Sequence, residues 1–304
     1  MPKVSILLTC YNHFDFLPKA VESIRAQTFT DYEILALDDG STDGSREWIL
    51  QQPDLIPHFQ EKNLGTYGNL NYGLDQVKGE YIAELNDDDF WGPEKLAKQV
   101  EALDTMPHVG LVHTSGWFVG DEGQRMDGDP IGYYWPTCGS GQILHELIFH
   151  NRIIASSVMF RRSLLAETGP FDPSFWGCGD WHMWLRFAEA AEIHRLEDDL
   201  TFYRVHGGMA SHQVDKMNDD ARRIREWLVT KWPGYEAKFG ATPGLRSAAA
   251  HNLACLGTER MWAGDMKGGR RAYWESWKLN PLRLKSGMRL ALSWLPRRAF
   301  RALQ

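Results

Sequence analysis

The sequence predicts an α/β protein with a mostly parallel, doubly wound, Rossmann-like sheet, followed by a helical C-terminal extension. Three observations predict it. In the first hundred residues short apolar runs alternate with stretches of helical spacing, the order that builds βαβ units. Three of those runs end in polar or acidic clusters, where ligands bind in such sheets. From about residue 214 onward the pattern is helical.

Taken in order, residues 4–9 form a continuous apolar run suited to a strand covered on both faces. Residues 16–27 follow with Leu17, Ala20, Val21 and Ile24 at helical spacing. Residues 32–37 read as a second strand, 45–51 as a helix and 58–60 as a short strand. A helix over 70–77 and a strand over 80–85 come next, then a helix over 93–103 with Pro93 at its favoured first position. The middle, 105–212, is mixed and loop-rich, with a short helix ending over 164–170 and an amphipathic one over 181–191. Helices are expected over 215–232, 243–263, 266–279 and 282–303, with a boundary at Trp232-Pro-Gly234. The expected organisation is one domain over 1–212, with halves 1–104 and 105–212, and a helical extension over 213–304.

The 304 residues suffice for a large domain with an appendage. With 43% hydrophobic and 24% charged residues the composition is that of a soluble globular chain. A net charge of −7 argues against a nucleic-acid partner. Thirteen tryptophans suit flat ligands such as bases and sugar faces, although aromatics fill cores as well. The charge is uneven: residues 266–304 carry ten Lys/Arg and one acid. Cys10, Cys138, Cys178 and Cys255 form no CxxC pair and are expected as free thiols of a cytoplasmic protein. Neither a signal peptide nor an apolar run of membrane-spanning length is expected.

Asp87-Asp-Asp89 follows an apolar strand and precedes Trp91-Gly-Pro93. Hard cations such as Mg2+ and Mn2+ take carboxylate and phosphate oxygens with few protein ligands. A tight acidic turn at a strand end offers those oxygens; it would serve equally as a solvated turn with a helix cap. Other patterns carry no chemistry. His145 and His150 are one residue too far apart for a zinc-protease pair. Gly139-Ser-Gly141 lacks a third glycine, and the absence of a Gly-Lys-Ser/Thr loop argues against an ATPase.

Eight segments then occur in order: Val4-Ser-Ile-Leu-Leu-Thr-Cys-Tyr-Asn12, Asp38-Asp-Gly-Ser-Thr-Asp43, Asn63-Leu-Gly65, Gly79-Glu-Tyr-Ile82, Asp87-Asp-Asp89, Gly169-Pro-Phe-Asp172, Gly179-Asp-Trp-His-Met-Trp-Leu-Arg186 and Tyr203-Arg-Val-His206. This series resembles the signature of the family-2 glycosyltransferases with the GT-A fold, over roughly residues 3–212. Each segment is weak alone; eight in order are specific.

The resemblance implies an inverting enzyme that moves a sugar from a nucleotide-diphosphate donor to a hydroxyl of a saccharide or lipid-linked acceptor, as in cell-surface polysaccharide synthesis. UDP leads dTDP and GDP on family frequency. Thr9, Tyr11, Asp39, Asn86 and Asp87 would hold the donor nucleotide, with Tyr11 offering its ring to the base and Asp38 buttressing the loop. Asp88 would ligate Mn2+ or Mg2+, helped by Asp87 or Asp89 and by His206. Asp180 would be the catalytic base. Its place at a helix start is also that of an N-cap, and the helix dipole keeps a carboxylate there ionised. Arg186 is expected to pair with a buried carboxylate. Acceptor contacts are expected from Trp117, Tyr133, Tyr134, Trp135 and Trp181.

Two positions depart from the family pattern. Asn86 stands where relatives often carry Asp, so the first position of the metal turn offers only a neutral oxygen. Leu70 stands where many carry a basic residue, leaving the metal and His206 to supply positive field. Two rival functions remain in view. A sugar nucleotidyltransferase needs a Gly-rich basic loop after the first strand, which Thr9-Cys-Tyr-Asn-His13 lacks. Against a catalytically silent sugar-nucleotide-binding protein stand the intact Asp39, Asp88 and Asp180.

In the tail, Leu284, Met288, Ala291, Leu292 and Leu295 are expected to share one helix face, widened by Leu290 and Trp294. Lys285 and Arg289 lie towards the other side, and Arg297, Arg298 and Arg301 follow. A basic amphipathic helix of this kind fits an anionic membrane surface, packing on the rest of the chain, or a homodimer.

Overall fold

The computed structural model describes residues 1–128, 130, 135–209 and 212–294. The chain divides into two compact units, Met1–Ile143 with Asn151–Val214, and Leu144–His150 with Asp215–Gln304.

The first unit carries strands β1 (Val4–Cys10), β2 (Tyr32–Asp38), β3 (Leu55–Phe59), β4 (Tyr81–Asn86), β5 (Phe90–Trp91), β6 (Val109–Val119), β7 (Val158–Arg161) and β8 (Glu192–Arg204). Its helices are α1 (Leu17–Arg25), α2 (Ser45–Leu50), α3 (Thr66–Leu74), α4 (Lys95–Thr105), α6 (Leu164–Thr168) and α7 (Gly179–Ala190), while α5 (Leu144–Phe149) belongs to the second unit. The eight strands form one sheet in the order β3-β2-β1-β4-β7-β6-β8-β5. β1 to β4 run parallel, β7 is antiparallel to both neighbours, and β6 pairs parallel with β8.

β1 is buried along its whole length because both faces are covered. Val4, Ile6, Leu8 and Cys10 share a core with Leu17, Val21 and Ile24 of α1 and Leu96, Val100 and Leu103 of α4. On the other face α3 sits close to the sheet: a Cβ on Gly73 would stand 2.5 Å from Leu37 and 3.1 Å from Leu7. Helix α7 packs its Trp184 against Phe160 of β7 and Phe171.

Several elements differ from expectation. The two longest strands, β6 and β8, lie in the stretch expected to be loop-rich. β8 carries Glu197, Asp198 and Asp199 on exposed positions, so no apolar run announced it; backbone pairing with β6 across register shifts forms it instead. α3 begins at Thr66, after Gly65 at φ 77°. α7 is not amphipathic: Trp181, His182, Met183, Trp184, Leu185, Phe187 and Ala188 are all buried.

The second unit comprises α5 with α8 (Val214–Phe239), α9 (Pro243–Ala263), α10 (Met266–Leu279) and α11 (Leu284–Leu292). The boundary expected at residues 232–234 does not occur, because α8 runs through Pro233. One proline removes a single helix N–H; the chain turns later, at Gly240 with φ 74°. Thr242 caps α9 by accepting from the Leu245 amide at 3.2 Å. α9 and α10 meet over glycines: a Cβ on Gly269 would lie 2.5 Å from Met261, and one on Gly257 2.9 Å from Tyr273. Leu290 and Leu292, grouped with the apolar face in the sequence, pack on the Met261–Tyr273 cluster, while Leu284, Met288 and Trp294 stay exposed. Leu295, Arg297, Arg298 and Arg301 lie outside the described residues. Among the described residues no helix is long and apolar enough to cross a membrane.

Candidate active site

The strand order reverses between β1 and β4: β2 and β3 lie to one side of β1, and β4 returns on the other. The carboxyl ends of β1 and β4 therefore flank the crevice where such sheets bind ligands. Register sets Thr9 opposite Asn86, and the Thr9 hydroxyl donates to Asn86 Oδ1 at 2.9 Å. The next residues cross-link the two strand ends. The Asp87 amide donates to the Thr9 carbonyl at 3.0 Å, and the Tyr11 amide to Asp87 Oδ2 at 2.8 Å.

The loops after β1 and β2 are stitched together by Asn12, which holds a left-handed φ of 54°. Asn tolerates that region better than most residues. Its amide donates to Ser41 Oγ at 3.0 Å, and its side-chain oxygen accepts from the Thr42 amide at 2.8 Å. Asp38 is wholly buried and takes Arg46 Nη2 at 3.0 Å, a buttressing role. Asp39 accepts from the Leu64 amide at 2.7 Å. Burial raises the Asp39 carboxyl, against the pull of the Leu64 and Gly65 amides. Tyr11 stays 45% exposed, its ring free to meet a flat ligand. Asp87 turns inward: it is buried, with one oxygen on the Tyr11 amide and the other 2.9 Å from His13 Nδ1. Its carboxylate thus braces the loop after β1.

Asp88, His206 and His13 present ligand atoms that all lie within 4.8 Å of one another. His206 Nε2 stands 3.1 Å from Asp88 Oδ2. Burial opposes charging of His13, but the hydrogen bond and field of Asp87, with Asp88 and Asp43, push its imidazole up to about 9. A carboxylate on one imidazole nitrogen is also how metal-binding histidines are oriented. A carboxylate and two imidazoles are all ligand types for divalent ions, so the residues present fit such an ion. His13 went unnoticed in the sequence, where nothing but its place three residues beyond β1 marked it.

Asp89 does not join this group. Its oxygens accept from the Ser156 hydroxyl and, at 2.9 Å, from the Arg204 amide. The expectation of an auxiliary metal ligand is corrected, since both oxygens are committed within the core. Arg204 is the strut of the turn. Its Nε donates to the Asp88 carbonyl at 2.8 Å, Nη1 to the carbonyls of Gly120 and Asp121, and its guanidinium lies 4.6 Å from the Phe16 ring centre.

Asp180 opens α7, and its carboxylate is held on three sides. It accepts from its neighbour's Trp181 amide at 2.6 Å, from Asn151 Nδ2 at 2.8 Å and from the Tyr67 hydroxyl at 3.5 Å. Burial pushes its pKa up to about 6, and the three hydrogen bonds restrain the rise. The backbone runs close here, because a Cβ on Gly179 would stand 2.6 Å from the Tyr67 ring. Glu84 of β4 is 2% exposed, with Oε2 lacking a hydrogen-bond partner. Burial, then the charge of Asp180, raise it to about 8.

The expected acceptor residues do not gather as a set. Trp181 is buried in the core. Trp117 packs on Phe202 at 5.2 Å with Arg125 over its ring, and Trp135 packs on Phe118 at 5.4 Å. Tyr133 and Tyr134 lie outside the described residues. Arg186 takes the carbonyls of Thr168 and Pro170 at 2.7 and 2.8 Å, where a carboxylate partner was expected.

A mixed α/β sheet with a polar switch-point crevice and a half-buried carboxylate is an arrangement that many ligand-binding folds share, and comparison with known proteins narrows it to one family. The Glycosyl transferase family 2 profile matches residues 5–169. An uncharacterized glycosyltransferase of Nostoc sp. is 32% identical over 210 residues, covering 67% of this chain and 65% of that one. An uncharacterized glycosyltransferase of Rickettsia typhi is 27% identical over 248 residues, covering 78% and 73%. Among solved structures, S. aureus TarS 1-349 in complex with UDP-GlcNAc aligns at TM-score 0.63 and 16% identity, over 99% of this chain and 92% of that one. Mannosyltransferase PcManGT from Pyrobaculum calidifontis, in complex with GDP-Man and Mn2+, aligns at TM-score 0.56 and 17% identity, over 99% and 85%. The chain belongs to glycosyltransferase family 2 and has the GT-A fold of that family. It spans about two thirds of the length of the Nostoc relative.

Proposed function

We propose that the chain transfers a glycosyl group from a nucleoside-diphosphate sugar to a hydroxyl, with inversion at the anomeric carbon. The observation that carries this reading is Asp180: a half-buried carboxyl, raised to about 6 and held by Asn151 and Tyr67. Such a group accepts a proton at neutral pH. In the proposed step the acceptor oxygen bonds to the anomeric carbon as its proton passes to Asp180. The bond from that carbon to the diphosphate oxygen breaks, and the electron pair leaves with the nucleoside diphosphate.

Tyr11, Asp39, Thr9 and Asn86 would take the nucleoside, the Tyr11 ring against the base and Asp39 as acceptor. Asp88, His206 and His13 would hold Mn2+ or Mg2+. When bound, that ion stabilises charge on the departing diphosphate. The neighbours' complexes with UDP-GlcNAc and with GDP-Man support a nucleotide-sugar donor, and UDP is the first to test. The proposed acceptor is a saccharide, free or lipid-linked, met at the cytoplasmic face of a membrane.

The test is a panel of UDP-, dTDP- and GDP-sugars with Mn2+, scored for nucleoside diphosphate release and, by proton NMR, for the anomer formed. Inverted product from the wild type, and none from Asp180→Asn, is expected. Retained configuration, or wild-type turnover in Asp180→Asn, overturns the reading.

A further inference from the structure

We infer that α10 and α11 form a docking face for an anionic lipid surface. The inference goes beyond the reaction and rests on that reading only for its setting.

Large apolar side chains scattered singly over a surface are ordinary, whereas a contiguous exposed patch marks an interaction site. Among the described residues sixteen large hydrophobics are exposed, and six of them fall between Trp274 and Trp294: Trp274, Trp277, Leu282, Leu284, Met288 and Trp294. They are joined in space. The Trp274 and Trp277 rings lie against each other, tilted, with centres 5.5 Å apart. A Cβ on Gly287 of α11 would lie 3.4 Å from the Trp277 ring, so the two helices meet there. At the far end Arg270 of α10 lies 4.0 Å from the Trp294 ring centre and donates to the Ser293 carbonyl at 3.0 Å. The Ser276 and Ser286 hydroxyls, 2.9 Å apart and buried, pin the inner sides of the helices together. Leu284 and Met288, 74% and 62% exposed, therefore face outward in a fixed arrangement.

Charge decides the occupant. Lys267, Arg271, Lys278 and Lys285 are exposed along the same two helices. Their one acid, Glu275, is tied to Lys278 at 2.7 Å. A face for a second copy of the chain would bring these cations against their own duplicates. A bilayer bearing anionic headgroups meets both features: tryptophans suit the headgroup level, aliphatic tips enter the acyl boundary, and lysines and arginines meet the lipid charge.

The test uses the full chain and vesicles of phosphatidylcholine with or without phosphatidylglycerol. Co-sedimentation with the anionic vesicles, weakened by high salt, and a blue shift of tryptophan fluorescence are expected. Leu284→Glu with Met288→Glu should weaken binding on the order of ten-fold or more, as should Arg271→Glu with Lys285→Glu. Both pairs are exposed, so the circular dichroism spectrum and melting temperature should hold. Absence of vesicle binding by the intact protein overturns the inference. So does a wild-type dimer that the Leu284→Glu, Met288→Glu variant converts to monomer. Because the readout is binding, loss of the glycosyl-transfer reading would leave this result standing, and the reverse.

Discussion

His206 Nε2 lies 3.1 Å from Oδ2 of Asp88, across 118 residues of chain. The closeness has two sources. Arg204, two residues before His206, clamps the Asp88 carbonyl with its side chain and Asp89 with its backbone amide. β8 in turn is aligned by its pairing with β6 and β5. A histidine at the end of the longest strand is thereby fixed against a carboxylate at the switch point of the sheet. His13 completes the group from the first loop, T-shaped to His206 at 5.1 Å.

Asp88→Ala should lower Mn2+ affinity by at least ten-fold, read by calorimetric titration of metal into each variant. His13→Ala should cost ten- to a hundred-fold, in the range for groups that orient or join a metal shell. Asn86→Asp adds a charged oxygen at the strand end and should tighten binding. Unchanged affinity in Asp88→Ala would remove the metal assignment.

Asp180→Asn should cut transfer by about two orders of magnitude or more, the usual scale for loss of a general base. Stability should move the other way. A carboxyl raised from 3.8 to about 6 holds its proton more tightly folded than unfolded. The wild type therefore loses stability as pH climbs from about 4 to 6, by at most about 3 kcal/mol, reduced by the partial exposure of Asp180. The Asn variant escapes that loss. Its melting temperature should exceed the wild type's at neutral pH, with the gap closing below about pH 4; equal melting curves at both pH values would count against a half-buried, raised carboxyl.

Asn151→Leu tests the same carboxyl through its partner. The amide donates at 2.8 Å to Asp180 and favours the ionised form. Its removal should shift the rising limb of the kcat/KM profile from near pH 6 to higher pH, with smaller losses at high pH than at neutral. A uniform loss across the profile would mean that Asn151 only supports the fold.

Arg204→Met should lose stability and metal affinity together. It leaves Asp89 buried without its cationic neighbour and frees three backbone carbonyls, a loss of roughly 3–5 kcal/mol by analogy with broken buried pairs. Urea unfolding measures the first and metal titration the second. Arg204→Lys should not rescue either, because an ammonium cannot reach the three carbonyls at once. Stability unchanged in the Met variant would show that the strut is dispensable.

The sequence by itself determined the N-terminal half of the sheet. β1, β2 and β4 are buried on both faces, so they were written as mainly apolar runs, broken at Ser5, Glu33 and Glu84, and their polar ends Thr9, Asp38-Asp39 and Asn86-Asp87-Asp88 stood where such sheets bind ligands. Asp180 came forward only through the family resemblance, since a carboxylate at a helix start reads equally as an N-cap. The tertiary structure alone decided the partners. His13 with Asp87, Tyr67 and Asn151 with Asp180, and Arg204 with Asp88 join residues from 29 to 116 positions apart. Local periodicity records which face of an element is buried; it does not record which residue of a distant element will stand opposite. That was set by register, by the long charged strand β8 that no apolar run announced, and by the turn of α11 that sent Leu290 and Leu292 inward while leaving Leu284 and Met288 in solvent.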